Sequence, residues 1–304
     1  MRRSRWPCAK DLWVVDVAAG CSFGCLFCPV RWRRVQDGEI EVFVDLPDRL
    51  RRELTMRRRS AEQVGPGKVL LNAATDSFQP IPSLLAVVHE TLEVLFSAGV
   101  QVAVRTRGLV PEGFAGLLRR HSDLLLVEQT FFSVDERLTE QYEPGAPHPQ
   151  QRLESIRRLR AWGVEVRARI QPLIPFVSDT VGHLEELVRH IRSAGIERAT
   201  SSYLVMRPQV QERLETRIPQ AHWNLIRGSF KGQPWRKVGI HQMTRLMPIR
   251  TRDQGYRRLR TVAERAGLTI GICACQDPDL GSDCFARQSS TDLVGQLDLF
   301  PSAS

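Results

Sequence analysis

The sequence predicts an α/β fold, with repeated βα units around a parallel sheet and a mainly helical C-terminal extension. Between residues 12 and 206, short apolar runs alternate with longer amphipathic ones, which is the pattern of strands that alternate with helices. The glycines at 99, 163 and 195 each stand between an amphipathic run and an apolar one, as expected where a glycine ends a helix before a strand. After residue 208 this alternation stops.

Each predicted strand is a short apolar run, and each predicted helix is bounded by proline or glycine. The strands are Leu12 to Ala18, Lys68 to Ala73, Val100 to Thr106, Leu124 to Phe131, Val164 to Ile170 and Ala199 to Met206. The helices are Pro82 to Phe96, Pro111 to Arg120, Pro149 to Trp162 and Thr180 to Ala194. We expect residues 1–208 to form a barrel-like α/β domain, 209–286 an extension with a cysteine-bearing loop, and 287–304 a disordered tail.

Length and composition indicate an ordinary globular protein. The chain has 304 residues, of which 42% are hydrophobic, enough for one large domain or one domain with an appendage. The charged N-terminus leads into no apolar run, and no apolar stretch approaches the roughly 18 residues that a membrane span needs. We therefore expect a cytoplasmic protein with no membrane association.

The charge is strongly basic and comes almost entirely from arginine. The net charge is +9, and only four of the 43 lysines and arginines are lysines. Arginines cluster at residues 31–34, 49–52, 57–59 and 257–260. Because arginine favours bidentate contacts with phosphate, a nucleic-acid partner is expected. The alternative is an arginine-rich composition whose side chains only cover solvated helix faces.

Cys21, Cys25 and Cys28 form a C-x3-C-x2-C triplet directly after the first predicted strand. Parallel βα folds place their chemistry at that end of the strands. Three thiolates so spaced can bind three corners of a [4Fe-4S] cluster and leave the fourth iron open. A structural zinc loop, redox-active thiols and coincidence are the alternatives. Zinc usually takes four ligands in two separated pairs, and an odd total of seven cysteines disfavours a disulfide framework.

The triplet resembles the signature of radical S-adenosylmethionine (AdoMet) enzymes. Five further segments are similar to the spore photoproduct lyase-like group of DNA-photolyase-type radical AdoMet proteins: residues 72–80, 143–147, 151–156, 170–175 and 204–208. The resemblance covers roughly residues 12 to 208. It implies a partial (β/α)6 radical AdoMet barrel, a [4Fe-4S] cluster on the three cysteines, and AdoMet chelated by its amino and carboxylate groups to the open iron. Reductive cleavage would then give a 5'-deoxyadenosyl radical.

The resemblance also implies roles for single residues. Phe27 would pack near the AdoMet adenine, while Thr75 and Asp76 would hold the amino group. Arg107, where this group usually has lysine, would bind the carboxylate. Thr130 would contact the ribose, and Arg152 is a further AdoMet-binding candidate whose alternative is a helix-surface position. An electron donor such as flavodoxin or ferredoxin would supply the electron.

Four further cysteines stand outside the triplet. Cys273, Cys275 and Cys284 share one segment, and Cys8 is distant in sequence. Together they could hold a second iron-sulfur cluster or a structural zinc ion. Alternatively, Cys273, Cys275 or Cys284 could donate a hydrogen atom to a substrate radical, the role that the resemblance implies. A third interpretation gives these thiols no ligand.

The C-terminal residues Gln296, Leu297, Asp298, Leu299 and Phe300 resemble the pentapeptide by which bacterial repair proteins dock on the DNA polymerase sliding clamp. Leucine and phenylalanine would enter an apolar pocket, and glutamine would fix the register by hydrogen bonds. The alternative is an amphipathic tail that folds back on the barrel.

The sequence as a whole predicts a radical AdoMet enzyme that acts on nucleic acid, with lyase-like repair of a DNA lesion as the leading hypothesis. One alternative keeps the radical chemistry but makes the substrate RNA, a peptide or a small metabolite. Another is a non-catalytic iron-sulfur protein tethered to the sliding clamp.

Overall fold

The computed structural model describes residues 1–4, 12–30, 39–59, 67–238 and 241–281. In chain order these residues form the strands β1 (Arg2–Arg3), β2 (Trp13–Val15), β3 (Ala18–Ala19), β4 (Glu41–Val42), β5 (Lys68–Leu71), β6 (Gln101–Thr106), β7 (Leu125–Phe131), β8 (Glu165–Leu173), β9 (Arg198–Tyr203), β10 (Arg236–Val238), β11 (His241–Thr244) and β12 (Thr269–Ile272). The helices are α1 (Leu46–Arg59), α2 (Pro82–Ser97), α3 (Ala115–Arg120), α4 (Glu136–Tyr142), α5 (Pro149–Ala161), α6 (Val181–Ser193), α7 (Pro208–Arg217), α8 (Gln220–Ser229) and α9 (Ile249–Arg265).

Eight strands form one sheet in the order β1-β2-β5-β6-β7-β8-β9-β12. From β2 to β12 all neighbours pair in parallel, and β1 closes the β2 edge as an antiparallel strand. All six predicted strands are present, in sequence order and parallel. The predicted α/β barrel fold is therefore confirmed.

Alternate residues of the strands face different surroundings, as expected from the two-residue period of a strand. On β5 and β6, Val69, Leu71 and Val104 belong to the large core that the helices cover. Their neighbours Leu70 and Ala103 pack instead with Val14 on the opposite face, in a smaller apolar cluster. The sheet is thus apolar on both sides at this end.

Three of the helix ends follow the sequence pattern closely. Gly99, Gly163 and Gly195 come directly after the residues that end α2, α5 and α6, and they have φ values of +72°, +84° and +84°. These glycines turn the chain from each helix into the next strand, as predicted. The one long helix that the pattern did not predict is α1. Among its residues 46–57, for which burial is described, Pro47, Leu50 and Leu54 are buried.

The region after residue 208 contains more than helices. It holds α7, α8 and α9, the antiparallel pair β10–β11, and β12, which pairs in parallel with β9. On α9, an added Cβ at Gly255 would lie 1.5 Å from the hydroxyl oxygen of Tyr203, so this helix sits directly against β9. Among the helices of the described ranges, none combines the length and apolar composition needed to cross a membrane.

Candidate active site at the cysteine loop

The cysteine triplet lies in residues 20–30, here called the cysteine loop, which follows β3 at the carboxyl end of β2. Gly20 opens the loop with φ +90°, and an added Cβ there would lie 2.2 Å from the carbonyl oxygen of Glu39. No other residue type fits this position without a shift of the backbone. Cys25 is buried, and Cys21 and Cys28 are partly exposed.

Three parts of the chain fix the backbone of the loop. Leu26 N donates to Tyr142 O (2.9 Å) at the end of α4, and Ser22 N donates to Gln79 Oε1 (2.6 Å) in the segment after β5. On the third side, α7 approaches the last cysteine, where Arg213 donates to the Cys28 carbonyl oxygen. The three thiols are therefore presented by a backbone that is held from several directions.

The surroundings of Cys21 and Cys25 favour the neutral thiol when no metal is bound. Burial raises the pKa of the Cys21 thiol to about 12, and Asp76 adds to this increase. Burial also holds the pKa of Cys25 well above its ordinary value, against the opposing positive charge of Arg107. Metal binding deprotonates a coordinating thiol outright, so thiols of this kind give up their protons only on metal binding.

The donor set fits a cluster better than a single ion. Within the described ranges, no group of three or more His, Cys, Asp or Glu side chains is placed to hold one metal ion. A zinc site needs its sulfurs about 2.3 Å from one common point. In a [4Fe-4S] cube each thiolate instead binds a different iron, so the three sulfurs need not converge. Cys21, Cys25 and Cys28 supply the three ligands that such a cube requires.

A buried ion-pair network lies directly behind the loop. The Glu143 carboxylate accepts from Arg107 Nε (2.5 Å) and from Arg152 Nη2 (2.6 Å). Although burial opposes ionisation of Glu143, Arg152 and Arg107 hold its pKa below the ordinary value. Arg107 Nη2 also donates to Gln171 O (2.7 Å), and the Arg107 guanidinium lies 5.2 Å from the ring centre of Phe27. Arg107 thus stands as a fixed cation beside the cysteines.

Arg152 is wholly buried, so its alternative placement on a helix surface is wrong. Besides Glu143, its guanidinium donates to Pro147 O (2.8 Å) and to Thr130 O (3.1 Å). All three of its nitrogens are therefore engaged within the protein. Contacts of Arg152 and Thr130 with AdoMet stay predictions, and the structure shows Arg152 supporting the loop and β7.

Asp76 and Thr75 connect the end of β5 to the loop and to β6. The Asp76 carboxylate accepts from Thr106 Oγ1 (2.6 Å) and from the backbone N of Arg107 (2.7 Å). Burial raises the pKa of Asp76, which these donors oppose. Thr75 donates to the Gly20 carbonyl oxygen, and Gln79 Nε2 donates to Thr75 Oγ1 (3.1 Å).

The structure therefore brings Thr75, Asp76 and Arg107 to the cysteine loop, which contains Phe27. Arg152 is connected to Arg107 through Glu143, and Thr130 is connected through Arg152. Sequence reasoning assigned no role to Glu143 or Gln79. Both lie in the segments that carry the family resemblance, at 143–147 and 72–80. The position of Glu143 and Gln79 within these two segments is the sequence feature that could have identified them as site residues.

Two of the remaining cysteines follow β12. Cys273 and Cys275 are buried in the apolar cluster that also contains Val14 and Leu70. Cys273 forms no disulfide, whereas Cys275 is disulfide-bonded and could bind a metal only after reduction. Cys8, Cys284 and the Gln296–Phe300 motif lie outside the described residues. The second metal site, the hydrogen-atom donor and the clamp motif all stay predictions.

Comparison with known sequences gives distant relatives, and no family model matches the chain. An uncharacterised protein of Mycobacterium tuberculosis is 26% identical over 254 residues, covering 77% of this chain and 71% of its own. A protein of Pseudomonas phage M6 named "Radical SAM Nalpha-GlyT isomerase" is 23% identical over 278 residues, covering 88% of this chain and 54% of its own.

Solved structures share the fold. A spore photoproduct lyase variant with bound AdoMet and dinucleoside spore photoproduct superposes with a TM-score of 0.64 at 17% identity, covering 84% of this chain and 75% of that one. SuiB of Streptococcus suis, bound to its precursor peptide SuiA, gives a TM-score of 0.53 at 12% identity, covering 86% and 48%. The chain therefore shares the fold of spore photoproduct lyase, and it is distantly similar to a phage protein that is named as a radical AdoMet enzyme.

Proposed function

We propose that this protein is a radical AdoMet enzyme that holds a [4Fe-4S] cluster on Cys21, Cys25 and Cys28 and acts on a damaged or modified base of nucleic acid. The observation that carries the proposal is the buried cysteine loop at the carboxyl end of β2, with the Arg107 guanidinium beside it. The cluster and AdoMet together supply a 5'-deoxyadenosyl radical by one-electron cleavage of AdoMet.

In this proposal, side chains of the protein bind, orient and shield the cluster and AdoMet. The thiolates of the triplet hold three irons, and the Phe27 ring gives an apolar wall for the adenine. Arg107, fixed by Glu143 and by Gln171 O, offers a positive charge to the AdoMet carboxylate. Asp76 sets the position of the Arg107 backbone through its hydrogen bond to that amide. Because these groups are already held in place, little reorganisation accompanies the reaction.

Three lines of support favour a nucleic-acid substrate. The net charge is +9. Some arginines form ion pairs with buried carboxylates such as Glu128 and Glu143. On α9, however, Arg257, Arg260 and Arg265 are exposed. A neighbour of the same fold binds a dinucleoside lesion. A base would have to leave the helix stack to reach a radical formed in the barrel, at a cost of a few kcal/mol that damage reduces.

The finer parts of the proposal are lyase-like repair of a DNA lesion, delivery of the electron by flavodoxin or ferredoxin, and tethering to the sliding clamp through the C-terminal motif. The clamp tether is tested separately. Phe300→Ala should weaken a direct complex with the sliding clamp, and the intact protein failing to bind its own clamp would remove this part alone.

The cofactor part is tested by anaerobic reconstitution followed by an assay for 5'-deoxyadenosine with AdoMet and a strong reductant. The native chain should bind about four irons and release 5'-deoxyadenosine, whereas Cys25→Ala should lose both. Ser22→Ala is the matched control, since it changes the same loop but keeps the backbone N–H that Gln79 accepts. A native chain that binds iron and AdoMet but makes no 5'-deoxyadenosine would favour a non-catalytic role.

The substrate part is tested by offering ultraviolet-irradiated and unirradiated oligonucleotides in the presence of deuterium-labelled AdoMet. Irradiated DNA should stimulate AdoMet cleavage or exchange of label, and its binding should weaken steeply as salt rises. Equal rates with both oligonucleotides and no dependence on salt would instead favour a peptide or a small metabolite.

A further inference from the structure

The start of α7 lies beside the last cysteine of the loop. Arg207 is the residue before the helix, and its extended backbone has φ −129° and ψ 158°. Its Nη1 donates to Pro29 O (2.8 Å), which also accepts from Gln209 Nε2 (3.2 Å). Together with the contact between Arg213 and the Cys28 carbonyl, these bonds fix α7 against residues 28–29.

In the part of the chain that the structure describes, the rest of the Arg207 guanidinium has no hydrogen-bond partner. Its Nε and Nη2 atoms are buried and make no hydrogen bond. Pro29, whose carbonyl oxygen accepts from Arg207, directly follows Cys28 in the chain, so the guanidinium lies beside the last cysteine of the loop. A buried donor of a charged group costs free energy when it has no acceptor. Unpaired donors of this kind therefore indicate a site where an anionic group binds.

Arg107 differs in this respect. It is the other arginine whose charge acts on the triplet, but its Nε and Nη2 already donate to Glu143 and to Gln171 O. Among the described residues beside the cysteine loop, the buried donors without a hydrogen bond are therefore those of Arg207, next to residues 28–29.

We propose that Arg207 donates hydrogen bonds from Nε and Nη2 to a sulfur of the [4Fe-4S] cluster, either the Cys28 thiolate or an adjoining sulfide, and thereby raises the reduction potential of the cluster. This inference rests on the proposed function. One-electron reduction adds one negative charge to the cluster. A fixed cation and N–H donors at its sulfurs stabilise the reduced form more than the oxidised form. Arg207 is thus a tuning residue for the electron-transfer step.

The test is a redox titration of the reconstituted cluster, followed by electron paramagnetic resonance and done without AdoMet. Arg207→Gln removes the positive charge and the paired Nε and Nη2 donors of the guanidinium, leaving a neutral amide. Arg207→Lys keeps the charge but lacks this paired donor geometry. Arg217→Gln removes the same charge from an exposed position on the same helix. At a fixed potential, the ratio of reduced to oxidised cluster should fall about tenfold in Arg207→Gln, which is 59 mV for a one-electron couple. Arg207→Lys should lie between this variant and the native chain, and Arg217→Gln should match the native chain.

Equal potentials in Arg207→Gln and Arg217→Gln would overturn the inference. So would an unchanged potential with weakened AdoMet binding, because Arg207 would then serve AdoMet and not the cluster. If Arg207→Gln and Arg207→Lys both fail to retain iron while Arg217→Gln retains it, Arg207 is a structural clamp and the tuning role is wrong. Failure of the native chain itself to take up a cluster would reject the proposed function instead, so the two failures are distinguishable.

Discussion

Glu143→Gln is expected to destabilise the fold and to release the support behind the cysteine loop. Glu143 is fully buried, and its two carboxylate oxygens accept from Arg107 (2.5 Å) and Arg152 (2.6 Å). Glutamine keeps the shape and one acceptor oxygen but replaces the other with a donor that faces an arginine. The guanidinium groups of Arg107 and Arg152 would then surround a neutral side chain, and that of Arg152 is wholly buried.

The magnitude follows from the burial of the network. Removing one partner of a buried ion pair costs about 3–5 kcal/mol, because the remaining charge stays desolvated. Since glutamine retains one hydrogen bond and Arg107 is partly exposed, we expect a loss of about 3 kcal/mol in the free energy of unfolding. A domain has roughly 5–15 kcal/mol in total, so the variant should fold but with a much smaller margin.

Urea unfolding of the native chain and the variant at several pH values measures this loss. Together the arginines hold the pKa of Glu143 below its ordinary value of 4.5. A carboxyl whose pKa is lowered on folding adds stability above its unfolded pKa and loses it as the pH falls through the folded pKa. The difference between native chain and variant should therefore be full at neutral pH and should shrink below pH 4.5.

Glu140→Gln is the matched control, since Glu140 lies on α4 three residues before Glu143, has a side chain that is 65% exposed, and should cost little. In addition, Glu143→Gln combined with Arg152→Gln should cost less than the sum of the two single changes, because the second change removes the charge that the first one stranded. The reasoning from the buried network is refuted if Glu143→Gln lowers the free energy of unfolding no more than Glu140→Gln does. It is also refuted if the losses from Glu143→Gln and Arg152→Gln are fully additive.

Three further predictions concern Gly20 and Gly255, where an added Cβ has no space, and Glu128, whose ion pairs are shielded from water. Gly20→Ala should lower the iron content of reconstituted protein several-fold, because its φ of +90° and a backbone oxygen 2.2 Å from the new Cβ forbid the loop conformation. Gly255→Ala should cost about 2 kcal/mol or more in urea unfolding, since its Cβ would lie 1.5 Å from the Tyr203 hydroxyl. Gly228→Ala on α8, where nothing lies within 4 Å, serves as control for both and should be neutral or slightly stabilising. Glu128→Gln should destabilise by about 3 kcal/mol at neutral pH. Its arginine neighbours outweigh burial and lower the pKa of Glu128 to about 2, so this effect should persist to more acidic pH and fade toward that value. No pH dependence of the Glu128→Gln effect, iron retention in Gly20→Ala, or native stability in Gly255→Ala would each contradict its prediction.

Elements that rest on local pattern were predictable from the sequence. The strands β5, β6 and β7 appear where apolar runs predict them, because a strand covered on both faces is mostly apolar. The helix α1 was missed, since only Leu50 and Leu54 form its buried apolar stripe and arginines occupy most other positions. A stripe that narrow gives little periodic signal.

The partners in the site were not predictable in the same way. Gln79 reaches Ser22 across 57 residues of chain, and Arg207 reaches Pro29 across 178. Hydrogen bonds over such separations leave no periodic trace in the sequence. Arg152 shows the consequence most clearly, because its position on a helix left a surface placement open, whereas the structure buries it against Glu143.

By itself the sequence determined that the chain is an α/β barrel protein whose three clustered cysteines follow its first strand, because strand periodicity and ligand spacing are both local properties. Only the tertiary structure decided what surrounds those cysteines. It placed Glu143 behind Arg107, and it brought Arg207 with two unpaired donors to Cys28. The charge around a metal site depends on which distant side chains the packing buries together, and that packing exists only in the folded chain.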